Sequence, residues 1–200
     1  MNITSMRPKI TGWMNPIVHL LAKTRLSPNM ITFLSFLCGV VATVSFVFCQ
    51  FILGAVLLAL SGIFDLADGM IARLMNRKSL FGAALDWIVD KYIDGLVLLG
   101  IGLSFFFQTP WYLNSLPIQP GCVCVAVDGL AIIGSIMNTF IKPVAYAEIG
   151  CCGKDNGKMI SPLEKIGFFG RPETIILLIL GGVTGFIWIA VAIIAACTNI

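Results

Sequence analysis

Four aspartates lie in two apolar segments of the sequence, where charged side chains are rare. Asp65 and Asp68 are three residues apart and Asp86 and Asp90 are four apart, so on helices each pair shares a face. An ionised Asp at the centre of a membrane span costs roughly 2.5–3.5 kcal/mol, and clustered carboxylates also repel one another. Protonation or bound divalent cations would relieve that repulsion. Because hard cations prefer carboxylate oxygens, and no histidine lies nearby, the pattern favours Mg²⁺ or Mn²⁺ over zinc.

The segments that carry these aspartates are expected to be membrane-spanning helices. Of the 200 residues, 58% are hydrophobic and 12% are charged, about half the charged share of a soluble domain. Apolar runs near 20 residues recur along the chain. We therefore predict an all-α integral membrane protein, a bundle of about six transmembrane helices that forms one domain over residues 1–200, with no nucleic acid as a partner.

The apolar runs also predict where the spans lie. Residues 172–200 are short for two full spans, but Gly181, Gly182 and Gly185 allow a break, which favours a fifth span followed by a short sixth. Residues 1–28 mix basic and apolar side chains, as an amphipathic helix at the membrane surface does. The first four spans are predicted at residues 30–49, 52–75, 79–107 and 121–143.

The basic residues predict the orientation of these spans. They lie before the first predicted span, between the second and third, and between the fourth and fifth, whereas the alternate loops have none. The positive-inside rule then puts the N-terminus in the cytoplasm. The four aspartates would lie about two turns from the cytoplasmic ends of spans two and three, so a site formed there would open to the cytoplasm.

A purely structural interpretation of the aspartates is that they pair with nearby basic residues, namely Arg73, Arg77, Lys78 and Lys91. Lys91 and Asp94 are three apart and could pair in this way. Against it, four carboxylates in two facing sets are interspersed with the small residues Gly69, Ala72 and Gly82. Small residues leave room for a ligand to approach the backbone, so a binding site is favoured.

The run DLADGMIARLMNRKSLFGAALDWIVD fits the signature D-x2-D-G-x2-A-R-x8-G-x3-D-x3-D at every fixed position. The eight fixed residues are Asp65, Asp68, Gly69, Ala72, Arg73, Gly82, Asp86 and Asp90. On these residues the chain resembles the CDP-alcohol phosphatidyltransferases, and LSPNMIT before the first span fits the same layout. Members of that family have six spans and usually form homodimers, so the resemblance also implies a homodimer.

The resemblance implies transfer of a phosphatidyl-type group from a CDP-linked lipid (CDP-diacylglycerol or CDP-archaeol) to an alcohol, with release of CMP. By position, Asp65, Asp68 and Asp86 would bind metal, with two Mg²⁺ or Mn²⁺ ions expected. Asp90 would act as general base and also touch the metal site. The CDP group would be bound by Asp68 together with Gly69, Ala72, Arg73 and Gly82.

The acceptor alcohol is predicted from two further segments. GRPETIILLILG (170–181) and, more loosely, FIKPVAYAE (140–148) are similar to segments of the branch that uses inositol phosphate, which includes the phosphatidylinositol phosphate and archaetidylinositol phosphate synthases. Lys142 and Arg171 would then bind the acceptor phosphate. The alternatives are that these two cations are ordinary flanking charge, and that glycerol 3-phosphate is the acceptor.

Two other function classes stay open at this point. Intramembrane carboxylates also occur in ion or proton transporters, although here they cluster near one side of the membrane. A structural membrane protein would leave the clustered charges without a purpose. Asp128 and the cysteine pairs Cys122–Cys124 and Cys151–Cys152 receive no role.

Overall fold

The computed structural model describes residues 18, 27–74, 80–108, 120–149, 154–155, 158–159 and 169–199. The predicted surface helix over residues 1–28 therefore lies almost entirely outside the described residues. The side chains of Arg73 and Lys142 lie outside the described part as well, although their backbones belong to described helices.

The described part of the chain is almost entirely helical, as predicted. Its helices are α1 (Pro28–Val47), α2 (Phe51–Leu74), α3 (Leu80–Phe107), α4 (Pro120–Ile149), α5 (Arg171–Thr184) and α6 (Ile187–Asn199). Between α4 and α5, the short strands β1 (Lys154–Asp155) and β2 (Lys158–Met159) pair antiparallel, with Lys154 opposite Met159.

Several of these helices have the length and composition of membrane spans. Within the described residues, the ranges Pro28–Val47, Phe51–Ala72 and Gly121–Ile141 are long and apolar enough to cross a membrane, and Ile187–Asn199 is a shorter apolar helix. Large apolar side chains such as Phe33, Ile52 and Phe106 are exposed on the outside of the bundle. Together these features indicate a membrane protein whose outer surface is in contact with lipid.

The helix α1 is the element against which both aspartate-bearing helices pack. It begins at Pro28, which suits the first turn because it lacks an N–H, and Ser27 accepts a hydrogen bond from the Met30 backbone N–H (3.4 Å). It packs closely against α2 and α3, whereas α2 and α3 do not pack closely against each other within the described ranges. The space between α2 and α3 is therefore bordered by α1.

A reciprocal pair of hydrogen bonds fixes the register of α1 against α2. The Ser35 hydroxyl donates to the Ser61 carbonyl oxygen (2.8 Å), and the Ser61 hydroxyl donates to the Ser35 carbonyl oxygen (2.9 Å). Both residues are buried, so these bonds satisfy polar groups that have no water to bind. Ser61 lies one helical turn before Asp65, and the pair therefore holds the start of the aspartate-bearing segment at a fixed height along α1.

Residues 171–199 form two helices separated at a glycine, as the sequence favoured. Gly185 has φ +80°, a backbone conformation that residues with a side chain rarely adopt, and it ends α5. Gly182 lies so close to α2 that an added Cβ would be 2.9 Å from the Phe51 carbonyl oxygen. The absence of a side chain at Gly182 is therefore what lets α5 approach the beginning of α2.

Two groups of buried apolar side chains stabilise the bundle. The larger joins all six helices and includes Phe46, Ile93 and Ile194, each no more than 1% exposed. The smaller contains Val18, Ile31, Ala67 and Ile71, and lies beside Asp68 on α2. Apolar packing on that side of α2 holds the backbone that carries Asp68.

Candidate functional site

Three of the four predicted aspartates converge between α2 and α3. Asp65, Asp68 and Asp86 each offer one carboxylate oxygen, and these oxygens all lie within 4.8 Å of one another. Asp68 is 4% exposed, and Asp65 and Asp86 are partly buried. The carboxylates meet across the space between two helices that are not closely packed, so a small cation would have room between them.

A hydroxyl on α1 holds one of these carboxylates. Thr32 Oγ1 donates a hydrogen bond to Asp68 Oδ2 at 2.5 Å, and both side chains are buried. Thr32 therefore engages Oδ2 of Asp68 and not Oδ1. The helix α1 also contacts α3, which carries Asp86. The Thr32 hydroxyl therefore links the orientation of Asp68 to the helix against which α3 packs.

Arg171, the first residue of α5, reaches into the same site. Its Nη1 donates to Asp65 Oδ2 at 2.7 Å and its Nε donates to Asp94 Oδ1 at 3.2 Å. Its Nη2 lies 2.8 Å from Asp90 Oδ1, an ion pair in which the N–H is not aligned for a hydrogen bond. One guanidinium therefore contacts three carboxylates from two helices.

Asp94 is a fifth carboxylate at the edge of the cluster. It lies one helical turn beyond Asp90, and its side chain is 5% exposed. Its Oδ2 accepts a hydrogen bond from Lys91 Nζ at 2.8 Å, so the pairing expected from the spacing of these two residues is confirmed. Asp94 is thus held by two cations, Lys91 and Arg171.

The start of α5 is fixed by local bonds that position Arg171. The Gly170 N–H donates to Glu173 Oε2 (3.1 Å), an arrangement that caps the first turn of a helix. The Asn138 side-chain amide on α4 donates to the Phe169 carbonyl oxygen at 2.6 Å. The residue before the cap is therefore attached to α4, and Arg171 enters the site from an anchored helix end.

Open space lies beside the carboxylates on two sides. A Cβ added to Gly69 would meet no atom of the described residues within 4 Å, and Gly82 and Ala72 are only partly buried. A cavity of about 350 Å³ also opens between α1 and α3. Its walls, which include Thr32, are otherwise mostly apolar and comprise Asn29, Phe33, Phe36, Leu85, Val89 and Tyr92.

The residues present fit a divalent metal. Asp86 Oδ1 is buried and has no hydrogen-bond partner among the described residues. A buried polar atom normally has a partner, and a bound cation would provide one here. Five carboxylates (Asp65, Asp68, Asp86, Asp90 and Asp94) meet only two cations, Arg171 and Lys91, within the described side chains. The excess negative charge and the all-oxygen donors suit Mg²⁺ or Mn²⁺.

The sequence missed two relationships in this site. The structural alternative paired the aspartates with Arg73, Arg77, Lys78 and Lys91. Among the side chains that the structure describes, Arg171 contacts Asp65 and Asp90, while Arg77, Lys78 and the side chain of Arg73 lie outside the described part. Thr32 was not singled out, and a lone threonine in an apolar run carries no signal of its own. Asp128 lies apart, against Gly102 of α3, eight residues or about 12 Å of helix beyond Asp94.

Comparison with known proteins gives a consistent result. The family model for CDP-alcohol phosphatidyltransferase matches residues 25–198. The archaetidylinositol phosphate synthase of Pyrococcus horikoshii is 28% identical over 193 residues, which cover 96% of this chain and 88% of that one. The phosphatidylinositol phosphate synthase of Corynebacterium glutamicum is 28% identical over 174 residues, which cover 85% and 69%.

Solved structures agree on the fold. The phosphatidylinositol phosphate synthase of Mycobacterium tuberculosis, in complex with manganese and citrate, superposes with a TM-score of 0.73 at 24% identity, covering 94% of this chain and 84% of that chain. The same protein with CDP-DAG bound gives a TM-score of 0.69. Since the family model covers most of the chain, and the signature on which the resemblance rested lies inside the matched range, the chain belongs to the CDP-alcohol phosphatidyltransferase family.

Proposed function

We propose that this enzyme transfers the phosphatidyl-type group of a CDP-linked lipid to a hydroxyl of inositol phosphate and releases CMP. The observation that carries the proposal is the group formed by Asp65, Asp68 and Asp86, whose oxygens lie within 4.8 Å of one another in front of Arg171. The names of the Pyrococcus horikoshii and Corynebacterium glutamicum relatives support inositol phosphate as the acceptor. Glycerol 3-phosphate is the alternative acceptor.

The carboxylates are proposed to hold two Mg²⁺ or Mn²⁺ ions, bound by Asp65, Asp68 and Asp86 and touched by Asp90. Bound divalent cations neutralise a diphosphate and stabilise a leaving phosphate oxygen. The manganese in the Mycobacterium tuberculosis structure supports this assignment. Asp86 Oδ1, which has no hydrogen-bond partner among the described residues, supports it from within this chain.

The CDP-linked lipid is proposed to bind along Asp68, Gly69, Ala72, Arg73 and Gly82. The open space beside Gly69 suits a flat base or sugar that approaches the backbone. The apolar cavity that starts at Thr32 suits a lipid chain, and it opens beside a residue that holds Asp68. The CDP-DAG bound by the Mycobacterium tuberculosis protein supports the same substrate class.

Asp90 is proposed as the general base. The acceptor hydroxyl oxygen forms a bond to the phosphorus that carries the lipid, the bond from that phosphorus to the CMP oxygen breaks, and the hydroxyl proton passes to Asp90. Asp90 is suited to this because its contact with Arg171 is an ion pair without an aligned hydrogen bond. A carboxylate in that state can accept a proton without first losing a hydrogen bond through that oxygen.

Arg171 and Lys142 are proposed to bind the phosphate of the acceptor. A guanidinium offers a fork of N–H donors that matches phosphate oxygens. Arg171 stands beside Asp90, so a phosphate bound to it would bring the acceptor hydroxyl near the base. The proposed role of Lys142 rests on its position in the sequence, near the end of α4 that we propose faces the cytoplasm.

We also propose how the chain is arranged in the membrane. The chain forms one domain with six membrane spans and a surface helix before the first, and two copies form a homodimer. The N-terminus and the mouth of the site face the cytoplasm in the cell membrane. The distribution of basic residues supports this orientation.

An acceptor panel tests the function. The purified protein in detergent or nanodiscs is given Mg²⁺ and CDP-diacylglycerol or CDP-archaeol, with inositol phosphate, glycerol 3-phosphate, inositol or serine. We expect CMP release above background only with inositol phosphate. Release only with glycerol 3-phosphate would assign the alternative acceptor, and release with no acceptor of the panel would overturn the proposed function.

A further inference from the structure

We propose that Asp94 is a positioning residue for the reaction. It anchors Arg171 through Nε at the edge of the carboxylate cluster, so that Arg171 keeps its place when Asp65 and Asp90 serve the reaction. The inference rests on the proposed function, which gives Arg171 the acceptor phosphate and Asp90 the proton. It adds a residue that lies outside the eight-residue signature.

The three contacts of Arg171 are chemically different. The terminal nitrogens Nη1 and Nη2 face Asp65 and Asp90, both of which have other proposed roles. The inner nitrogen, Nε, faces Asp94. A guanidinium bonded at Nε still has four N–H donors on its terminal nitrogens. Asp94 therefore engages only the Nε–H and leaves the fork of terminal N–H donors for a phosphate.

Asp94 is better suited to be an anchor than a ligand. Its side chain is 5% exposed, and its two oxygens are engaged by Arg171 and Lys91. It is not part of the three-carboxylate group that offers oxygens within 4.8 Å. The ion pair between Arg171 and Asp90 lacks hydrogen-bond alignment, so that contact is the easier one to give up.

Asp94 would hold Arg171 in the site when a divalent cation is bound. When Asp65 holds a divalent cation, that charge would repel the Arg171 guanidinium and compete with it for the carboxylates. Without Asp94, Arg171 would be free to move out of the site. With Nε held, the released terminal nitrogens remain beside Asp90, where they can bind an oxyanion as a fork.

The test is whether Asp94→Asn raises or lowers the affinity for phosphate. Asp94→Asn removes a negative charge near the phosphate site, which by simple charge attraction should strengthen phosphate binding. Anchoring predicts the opposite, and we expect about tenfold weaker binding of inorganic phosphate, as for the loss of one charge-assisted hydrogen bond. Binding is measured by titration calorimetry on the purified full-length protein with Mg²⁺. Asp128→Asn, which also removes a buried carboxylate, is the matched control and should leave the affinity unchanged.

A double-mutant cycle shows whether Asp94 acts through Arg171. Arg171→Lys keeps one positive charge but lacks the Nε–H, so adding Asp94→Asn in that background should change phosphate affinity by less than about twofold. Equal weakening in both backgrounds, or no weakening in the wild-type background, would overturn the proposal.

Metal binding gives the second readout. Mn²⁺ affinity, measured by electron paramagnetic resonance, should stay within about threefold of wild type in Asp94→Asn, because loss of a ligand or of its hydrogen-bond partner typically costs more, about 10–100-fold. A loss of that size would make Asp94 a metal ligand and overturn its assignment as an anchor. These measurements do not use turnover, so they are independent of whether the acceptor panel confirms inositol phosphate.

Discussion

Arg171 Nη1 lies 2.7 Å from Asp65 Oδ2, so the first residue of α5 is bonded to an aspartate that comes 106 residues earlier, in α2. Both side chains are largely buried, with 17% and 15% exposed. Water and salt screen such a pair much less than a surface pair. The net charge of the site therefore includes the contribution of a residue from a distant part of the chain.

Replacement of Arg171 should affect the acceptor more than the CDP-lipid. In Arg171→Gln, loss of the charged donors should lower kcat/KM for inositol phosphate by roughly 10–150-fold, the equivalent of about 1.5–3 kcal/mol for a charge-assisted hydrogen bond. The KM for the CDP-lipid should change much less. Steady-state kinetics with each substrate varied in turn measures both. An equal rise in both KM values would contradict a specific role at the acceptor.

Asp90 and Asp68 are expected to fail in different ways. Asp90→Asn keeps the shape of the side chain but cannot take the proton, so the single-turnover rate should fall about 10²–10⁴-fold while CDP-lipid binding persists. Asp68→Asn removes the charge of a proposed metal ligand and should weaken binding of metal and CDP-lipid together. If Asp90→Asn loses CDP-lipid binding as completely as Asp68→Asn does, Asp90 is mainly a metal ligand.

Removal of divalent cations should abolish activity. The carboxylates outnumber the neighbouring cations in the described site, so the substrate diphosphate would add to an existing negative charge. CMP release should stop in excess EDTA and return when Mg²⁺ or Mn²⁺ is added back. Full turnover in EDTA would refute the metal site.

Thr32 should matter although it has no charge. Thr32→Val keeps the volume but removes the hydrogen bond to Asp68, and loss of such a partner of a metal ligand typically weakens metal affinity about 10–100-fold. The measurement is a Mn²⁺ titration followed by electron paramagnetic resonance. Thr43→Val is the matched control, since the Thr43 hydroxyl bonds to the Gly39 carbonyl within α1, away from the site. Similar effects of the two variants would argue against a role specific to Thr32.

Gly182 should be intolerant of even a methyl group. In Gly182→Ala the new Cβ would lie 2.9 Å from the Phe51 carbonyl oxygen, so α5 or α2 has to shift. Overpacking of this kind typically costs about 1–3 kcal/mol, which thermal unfolding in detergent would detect as a lower Tm. Gly129→Ala in α4 meets no atom within 4 Å and should leave the Tm unchanged or slightly raised. A Gly182→Ala protein as stable as wild type would show that this approach is not tight.

Local patterns predicted the helices of the described part and the meeting of three aspartates. Hydrophobic run lengths placed the first four helices within a few residues of their observed starts, and the glycines of the last segment indicated the break found at Gly185. The spacing of Asp65, Asp68 and Asp86 predicted that their carboxylates would face one another. These features depend on helix periodicity, which a single sequence contains.

Relationships between distant helices were harder to predict. The sequence indicated two facing sets of aspartates, but not that the helices carrying them, α2 and α3, would each pack closely on α1 in the described residues. The bonds from Thr32 to Asp68 and from Arg171 to Asp65 join residues 36 and 106 positions apart. Such contacts follow from how helices pack in three dimensions, and no local spacing encodes them.

The arrangement of α2 and α3 has a mechanical consequence. Because these helices face each other through charged groups more than through packed apolar side chains, the width of the gap between them depends on what neutralises Asp65, Asp68 and Asp86. Mutual repulsion of the carboxylates would widen the gap, and a cation shared between them would draw the two helices together. The distance between α2 and α3 would then be set by electrostatic forces between them, while both helices remain packed on α1.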